Sequence, residues 1–233
     1  MGQTEVVKLC GLPLSDIEAA LKQFEGRGVK FEAEESFLDA KITMTDEGAG
    51  PQLFATVKSL VYNAFSEHVY SPFDMTLEEL AKELLKRSGN VLSVAESITG
   101  GEVCSRLISV DGISENFYEG IVCYNVLSKL NRLGVRLSTL KTHGAVSKQA
   151  AREMVQGLVG GETTIGLSTT GNAGPTGSEG KPVGLVYIGV GRGNYIAVFE
   201  HKFTGERNEI RKKVANMALF YLIRYLQGNI LML

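Results

Sequence analysis

The 233-residue chain is 44% apolar and 21% charged, with a formal net charge of −2; this balance suits a soluble globular protein with one good-sized core or two smaller ones. No apolar run reaches the roughly 18–20 residues of a membrane span, and the N-terminus lacks the basic-then-apolar shape of a secretory signal, so the expected location is cytoplasmic with no membrane partner. Residues 1–90 hold 9 Lys+Arg against 15 Asp+Glu, and residues 91–233 hold 15 against 11. An acidic front and a mildly basic rear without a Lys/Arg stripe argue against nucleic acid and favour a small anionic ligand.

In chain order, Ser15 and Glu18 predict a capping box before the helix "IEAALKQF", which Gly26 and Gly28 stop. "VKFEAE" and "SFLDAKITM" read as two strands, and Pro51 is placed to open a helix whose buried face carries Leu53, Val57, Leu60, Val61 and Phe65. A boundary near residues 70–75 separates a small α+β domain, 1–73, from a larger one, 74–233. Thr76 and Glu79 then cap a helix bearing Leu77, Leu80, Ala81, Leu84 and Leu85. From residue 91 strands and helices alternate, which predicts an α/β domain of three layers, α/β/α, around a mixed, mostly parallel sheet. Its strands are 91–96, "FYEGIVCYN", "TTIGLSTTG", "VGLVYIGV" and "YIAVFEHKF", the last two joined by the hairpin chemistry of "GRGN". Its helices follow Gly100, span "VLSKLNRLG", begin at a Ser147 cap, and close the chain as "NEIRKKVANMALFYLIRYL".

Cys10, Cys104 and Cys123 are widely spaced in apolar surroundings and read as reduced core thiols. His68, His143 and His201 are far apart, without metal-ligand spacing, so no metal site is expected. "SEGKP" imitates the end of a phosphate loop but has Pro182 where a magnesium-binding hydroxyl belongs. Three polar clusters remain, each after an apolar strand: Glu96-Ser97-Ile98-Thr99-Gly100-Gly101, Tyr124 with Lys129, and Thr169-Thr170-Gly171-Asn172-Ala173-Gly174-Pro175-Thr176-Gly177. Each admits a purely structural reading: a capped strand-to-helix turn, a surface Lys beside a core-edge Tyr, a loose surface loop. The functional reading joins them. A serine is a weak nucleophile without a base, and with no suitable His in any cluster the base type is a lysine neutralised by burial, here Lys129. The Tyr124 and Thr170 hydroxyls are expected to relay the proton or orient the base, and the backbone N–H groups of Gly100 and Gly101 to hold an oxyanion or a phosphate.

Six segments, "VAESITGGEVCSRL", "GIVCYNVLSKLNRLGV", "HGAVSKQAAREM", "TTGNAGPTG", "KPVGLVYIGV" and "FTGERNEIR", occur in an order that resembles the C-terminal domain of the CinA family, which is also found alone as the PncC-type nicotinamide-nucleotide amidase. The resemblance covers about residues 75–228 and implies hydrolysis of the carboxamide of nicotinamide mononucleotide to nicotinate mononucleotide and ammonia, with no cofactor and no metal. It assigns Ser97 as nucleophile, Lys129, Tyr124 and Thr170 as its catalytic companions, and Arg207 as a phosphate or structural partner. Glu96, Thr99, Gly100, Gly101, Gly171, Asn172 and Gly174 complete the expected substrate-binding set. The chain departs from the family pattern at Ile98, usually Cys; at Val126 and Leu127, usually polar; and at Asn172, usually apolar. The N-terminal part resembles the small KH-type domain preceding this module in longer CinA proteins, while the larger domain that would come before it is not seen in the sequence. The alternative function is a non-catalytic nucleotide-binding or interaction module of the competence or damage-inducible type. A nucleotide-like small molecule is the expected partner in both cases, and a homodimer is implied by resemblance alone.

Overall fold

The computed structural model describes residues 2–230, so the first position and the last three of the two expected domains lie outside the described residues. The chain divides into two compact units, one ending at Thr76 and the other beginning at Leu77.

The first unit runs β1 (Thr4–Cys10), α1 (Leu14–Leu21), β2 (Val29–Ser36), β3 (Asp39–Asp46), α2 (Pro51–Ala64) and β4 (Val69–Ser71). Its sheet has the order β2-β3-β1-β4 with every pairing antiparallel, the split β-α-β plan. Two strands unread in the sequence, β1 and β4, complete this plan. Val7 and Leu9 alternate inward along β1 and join Ile42, Met44, Phe54 and Val57 in one core. The Ser15 capping box does not form: α1 begins a residue earlier, after Pro13, and the Ser15 hydroxyl turns to the Asp16 carboxylate. The β2–β3 turn falls on Phe37 and Leu38, both in the left-handed region. Neither is a turn-forming type, so the sequence placed this turn about two residues early. Pro51 opens α2 as expected, and the Asp46 carboxylate accepts hydrogen bonds from the Gly48, Ala49 and Gly50 amides that lead into it.

The second unit follows the alternation predicted for it: α3 (Leu77–Ser88), β5 (Leu92–Glu96), α4 (Glu102–Ile108), β6 (Phe117–Val122), α5 (Val126–Leu133), α6 (Leu137–His143), α7 (Lys148–Gln156), β7 (Ile165–Gly171), β8 (Leu185–Arg192), β9 (Tyr195–Lys202) and α8 (Arg207–Leu226). The sheet order is β6-β5-β7-β8-β9. β5 pairs in parallel with β6 and β7, and the two β8 pairings are antiparallel, so four of the five strands point one way. Helices α3, α4 and α8 cover one face and α5, α6 and α7 the other, which makes the three layers. α6 was not read as a helix in the sequence. The Ser147 hydroxyl caps α7 by accepting from the Ala150 amide, and β8 passes to β9 through Gly193-Asn194. Among the described residues, no helix is long and apolar enough to cross a membrane.

This order dictates where a ligand can sit. From β5 the chain moves to β6 on one side and later returns to β7 on the other, and open α/β sheets place their crevice at the carboxyl ends of strands where the order reverses. The ends of β5 and β7 lie side by side, Glu96 opposite Thr169.

Candidate active site

β5 is buried at every residue and ends in Glu96, whose carboxylate would be costly to desolvate without donors. The start of α4 supplies three. The Gly101 and Val103 amides donate to Oε2 at 2.8 and 3.2 Å, and the Cys104 amide donates to Oε1 at 2.8 Å. Glu96 therefore caps the helix, and the Gly101 N–H expected to face an oxyanion is committed to it. The Thr99 hydroxyl is bonded to that of Thr169 at 2.7 Å, and Arg211 donates to the Thr99 carbonyl at 2.8 Å, beside Gly100. Glu96, Thr99, Gly100 and Gly101 thus build the frame of the turn, and none of them lines the adjacent cavity.

Ser97 is the residue this frame presents. Its amide continues the ladder to the Thr169 carbonyl at 2.9 Å, and its side chain is 7% exposed. Across from it, the first turn of α5 carries Lys129, which is 1% exposed. Lys129 Nζ lies 2.8 Å from Ser97 Oγ, 2.7 Å from the Cys123 carbonyl and 3.4 Å from the Tyr124 carbonyl. Its partners are a hydroxyl and two carbonyls, with no carboxylate to hold the proton. Burial pushes the amine below its ordinary pKa, against smaller opposing pulls from Cys123 and Glu179. Burial also pushes the Cys123 thiol up, as it does Cys104, where the Glu96 charge adds to the effect. None of the three cysteines is joined in a disulfide.

The pair sits in the wall of a cavity of about 360 Å³. Thr170, Gly171, Asn172 and Gly174 line it from the end of β7 and the loop beyond, and Tyr124 and Arg207 line it as well. Arg207, the first residue of α8, donates to the Gly174 carbonyl at 2.7 Å and to the Tyr124 hydroxyl at 3.0 Å. Tyr124 is 62% exposed and meets Lys129 through its backbone, not its hydroxyl. The Thr170 hydroxyl donates to the Ala145 carbonyl at 2.8 Å. Neither hydroxyl contacts the Ser97–Lys129 pair, in contrast to the relay expected from the sequence. Asn172 is internal to the loop, its Oδ1 accepting from the Gly174 amide at 3.1 Å.

Ile98, where the chain leaves the family pattern, is buried and lines the cavity. A methyl group on Gly171 would lie 2.9 Å from Ile98 Cδ1, 2.8 Å from Val186 Cγ2 and 2.9 Å from the Leu185 carbonyl oxygen. With a backbone oxygen among the neighbours, Gly171→Ala is expected to lower stability by about 1–3 kcal/mol, as overpacking does; thermal melting against wild type checks it. Sequence reasoning missed Ala145, Val146 and Glu179, which also line the cavity. The available signals were "HGAV" and the charged pair inside "SEGKP", but nothing local links one to the other.

A three-layer α/β/α domain with a buried Ser–Lys pair at its topological switch point defines the class of this unit. The chain belongs to the CinA family: residues 74–226 match the model of the CinA C-terminal domain. A CinA-like protein of Fusobacterium nucleatum is 44% identical over 179 residues, covering 76% of this chain and 44% of the relative. The crystal structure of a competence/damage inducible protein from Agrobacterium tumefaciens is similar with a TM-score of 0.60 at 36% identity, covering 67% of this chain and 99% of that one. A CinA superfamily protein of Klebsiella pneumoniae is similar with a TM-score of 0.62 at 30% identity, over 66% of this chain and 99% of that one. The chain spans about half the length of the curated relatives it matches.

Proposed function

We propose that the second unit is an amidohydrolase that converts nicotinamide mononucleotide to nicotinate mononucleotide and ammonia. The observation that carries this reading is the 2.8 Å contact between Ser97 Oγ and the Nζ of a buried lysine that is hydrogen-bonded to no carboxylate. In its neutral form Lys129 accepts the hydroxyl proton as Ser97 Oγ attacks the carboxamide carbon. The resulting ammonium is held by the Cys123 and Tyr124 carbonyls and returns a proton to the departing nitrogen, which leaves as ammonia. Water then attacks the ester on Ser97 with Lys129 again the base, releasing the carboxylic acid and restoring the hydroxyl. Arg207 at the cavity wall is the cation available to the phosphate, because a guanidinium already bonded to Gly174 and Tyr124 keeps further N–H donors.

The test is an assay of ammonia and nicotinate mononucleotide formed from nicotinamide mononucleotide, with substrate binding measured in parallel. Release of both products in equal amounts supports the reading. Binding without release would overturn it in favour of a nucleotide-binding module, a role compatible with the competence and damage names of the relatives.

A further inference from the structure

The loop from Asn172 to Gly184 carries a carboxylate that the reaction above does not use. Glu179 has φ +54, an uncommon conformation for a residue with a side chain. Its Oε1 accepts from the Ala145 amide at 3.0 Å and its Oε2 from the Val146 amide at 3.2 Å, two residues that also line the cavity and lie 33 to 34 positions away in sequence. The carboxylate can lie there only because residue 144 has no side chain: a Cβ on Gly144 would stand 2.3 Å from Glu179 Oε2. Lys181 completes the arrangement, with Nζ 3.9 Å from Glu179 Oε2 and donating to the carbonyls of His143 and Val146. The segment so gripped is the one whose Ala145 carbonyl receives the Thr170 hydroxyl. Glu179 and Lys129 line the same cavity.

We infer that Glu179 is a positioning residue: seated on the Gly144–Val146 backbone, its carboxylate latches the loop over the cavity, and its negative charge sets part of the field in which Lys129 works. "SEGKP", a failed phosphate loop by its sequence, is in this reading the latch. Ordering a glycine-rich loop is entropically expensive, and two charge-assisted bonds to backbone amides plus a lysine offset that cost where the loop borders the site. The titratable and charged groups around Lys129 are the Cys123 thiol, the Tyr124 phenol, Arg207 and Glu179. Of these, Glu179 is the carboxylate acting on Lys129, and it favours the ammonium. The catalytic part of this inference rests on the amidase reading; the latch does not.

The experiment follows the Lys129 side chain directly, by ¹³Cε lysine NMR titration of the full chain, alongside proteolysis of the loop. Lys129→Arg assigns the resonance. Glu179→Gln keeps the shape and removes the charge, so the Lys129 titration is expected to move to lower pH by about half a unit, the scale of one charge across a partly wet cavity. The low-pH limb of kcat/KM for ammonia release is expected to move with it. Gly144→Ala evicts the carboxylate and is expected to speed cleavage within 172–184 about tenfold. In a Glu179→Ala background the added methyl no longer meets a carboxylate, so Gly144→Ala should add only the strain of its φ of +78 and of the Lys181 Nζ atom 3.0 Å from the new Cβ, and less to loop cleavage than it does in wild type. An unmoved Lys129 titration in Glu179→Gln, or loop cleavage unchanged in Gly144→Ala, overturns the inference. Faster loop cleavage in Gly144→Ala together with a moved Lys129 titration in Glu179→Gln, in a protein that releases no ammonia, supports the latch and the field and rejects the amidase reading.

Discussion

Ser97→Ala and Lys129→Arg are each expected to lower ammonia release by at least about 10⁴-fold, the scale seen when a nucleophile or its base is removed, while nicotinamide mononucleotide still binds. Removing Oγ takes away the attacking atom and leaves the other lining residues in place. Lys129→Arg keeps the positive charge, but a guanidinium is never neutral near physiological pH and so cannot accept the proton. The pH dependence has a definite sign. Below its pKa Lys129 is an ammonium and idle, so kcat/KM is expected to rise with pH through a step lying under the ordinary 10.5 of lysine, since burial disfavours the charged form. Retained turnover in Lys129→Arg, or a rate that does not rise with pH, would remove Lys129 from the base role.

The second large effect is on stability. Glu96→Ala is expected to destabilise the second unit by about 3–5 kcal/mol, because it strands the amides of Gly101, Val103 and Cys104 beside a buried strand end. The melting temperature should fall by roughly 10 °C on the usual scaling for a domain of this size. Glu96→Gln retains one acceptor oxygen and should lose about half as much. A change under about 1 kcal/mol in Glu96→Ala, read by denaturant unfolding with ammonia release as a control, would return Glu96 to the list of substrate contacts.

The two roles illustrate how far residue type alone can carry a reading. Glu96 and Ser97 are adjacent in the sequence and were expected to serve one site. The pleat sends successive side chains to opposite sides, and here one carboxylate goes under the α4 terminus while the hydroxyl beside it faces the cavity. Similarly, Tyr124 and Lys129 are five residues apart, yet the tyrosine ring stands in solvent against Arg207 while the lysine is enclosed. In the first unit, β4 is three residues long and the β2–β3 turn uses Phe37 and Leu38, so neither announces itself by composition. Glu179 was unreadable for another reason: its partners at 145 and 146 lie 33 to 34 residues away and meet it only through the tertiary fold.

The amino-acid sequence by itself determined the alternation of strand and helix from residue 91 and the three polar clusters at strand ends, and through its ordered motifs the family, because hydrophobic periodicity and turn chemistry are local properties. Only the tertiary structure decided which groups meet. Pairing β6 and β7 on either side of β5 brings Ser97 and Lys129 to 2.8 Å across 32 residues of sequence and encloses the amine. The tertiary structure likewise brings the Glu179 carboxylate to the Ala145 and Val146 amides across 33 to 34 residues, whereas the Glu96 cap is local, its donor amides lying five to eight residues on. A hydrogen bond depends on distance, and burial on what packs around a group; both are set by strand order, which no single segment encodes.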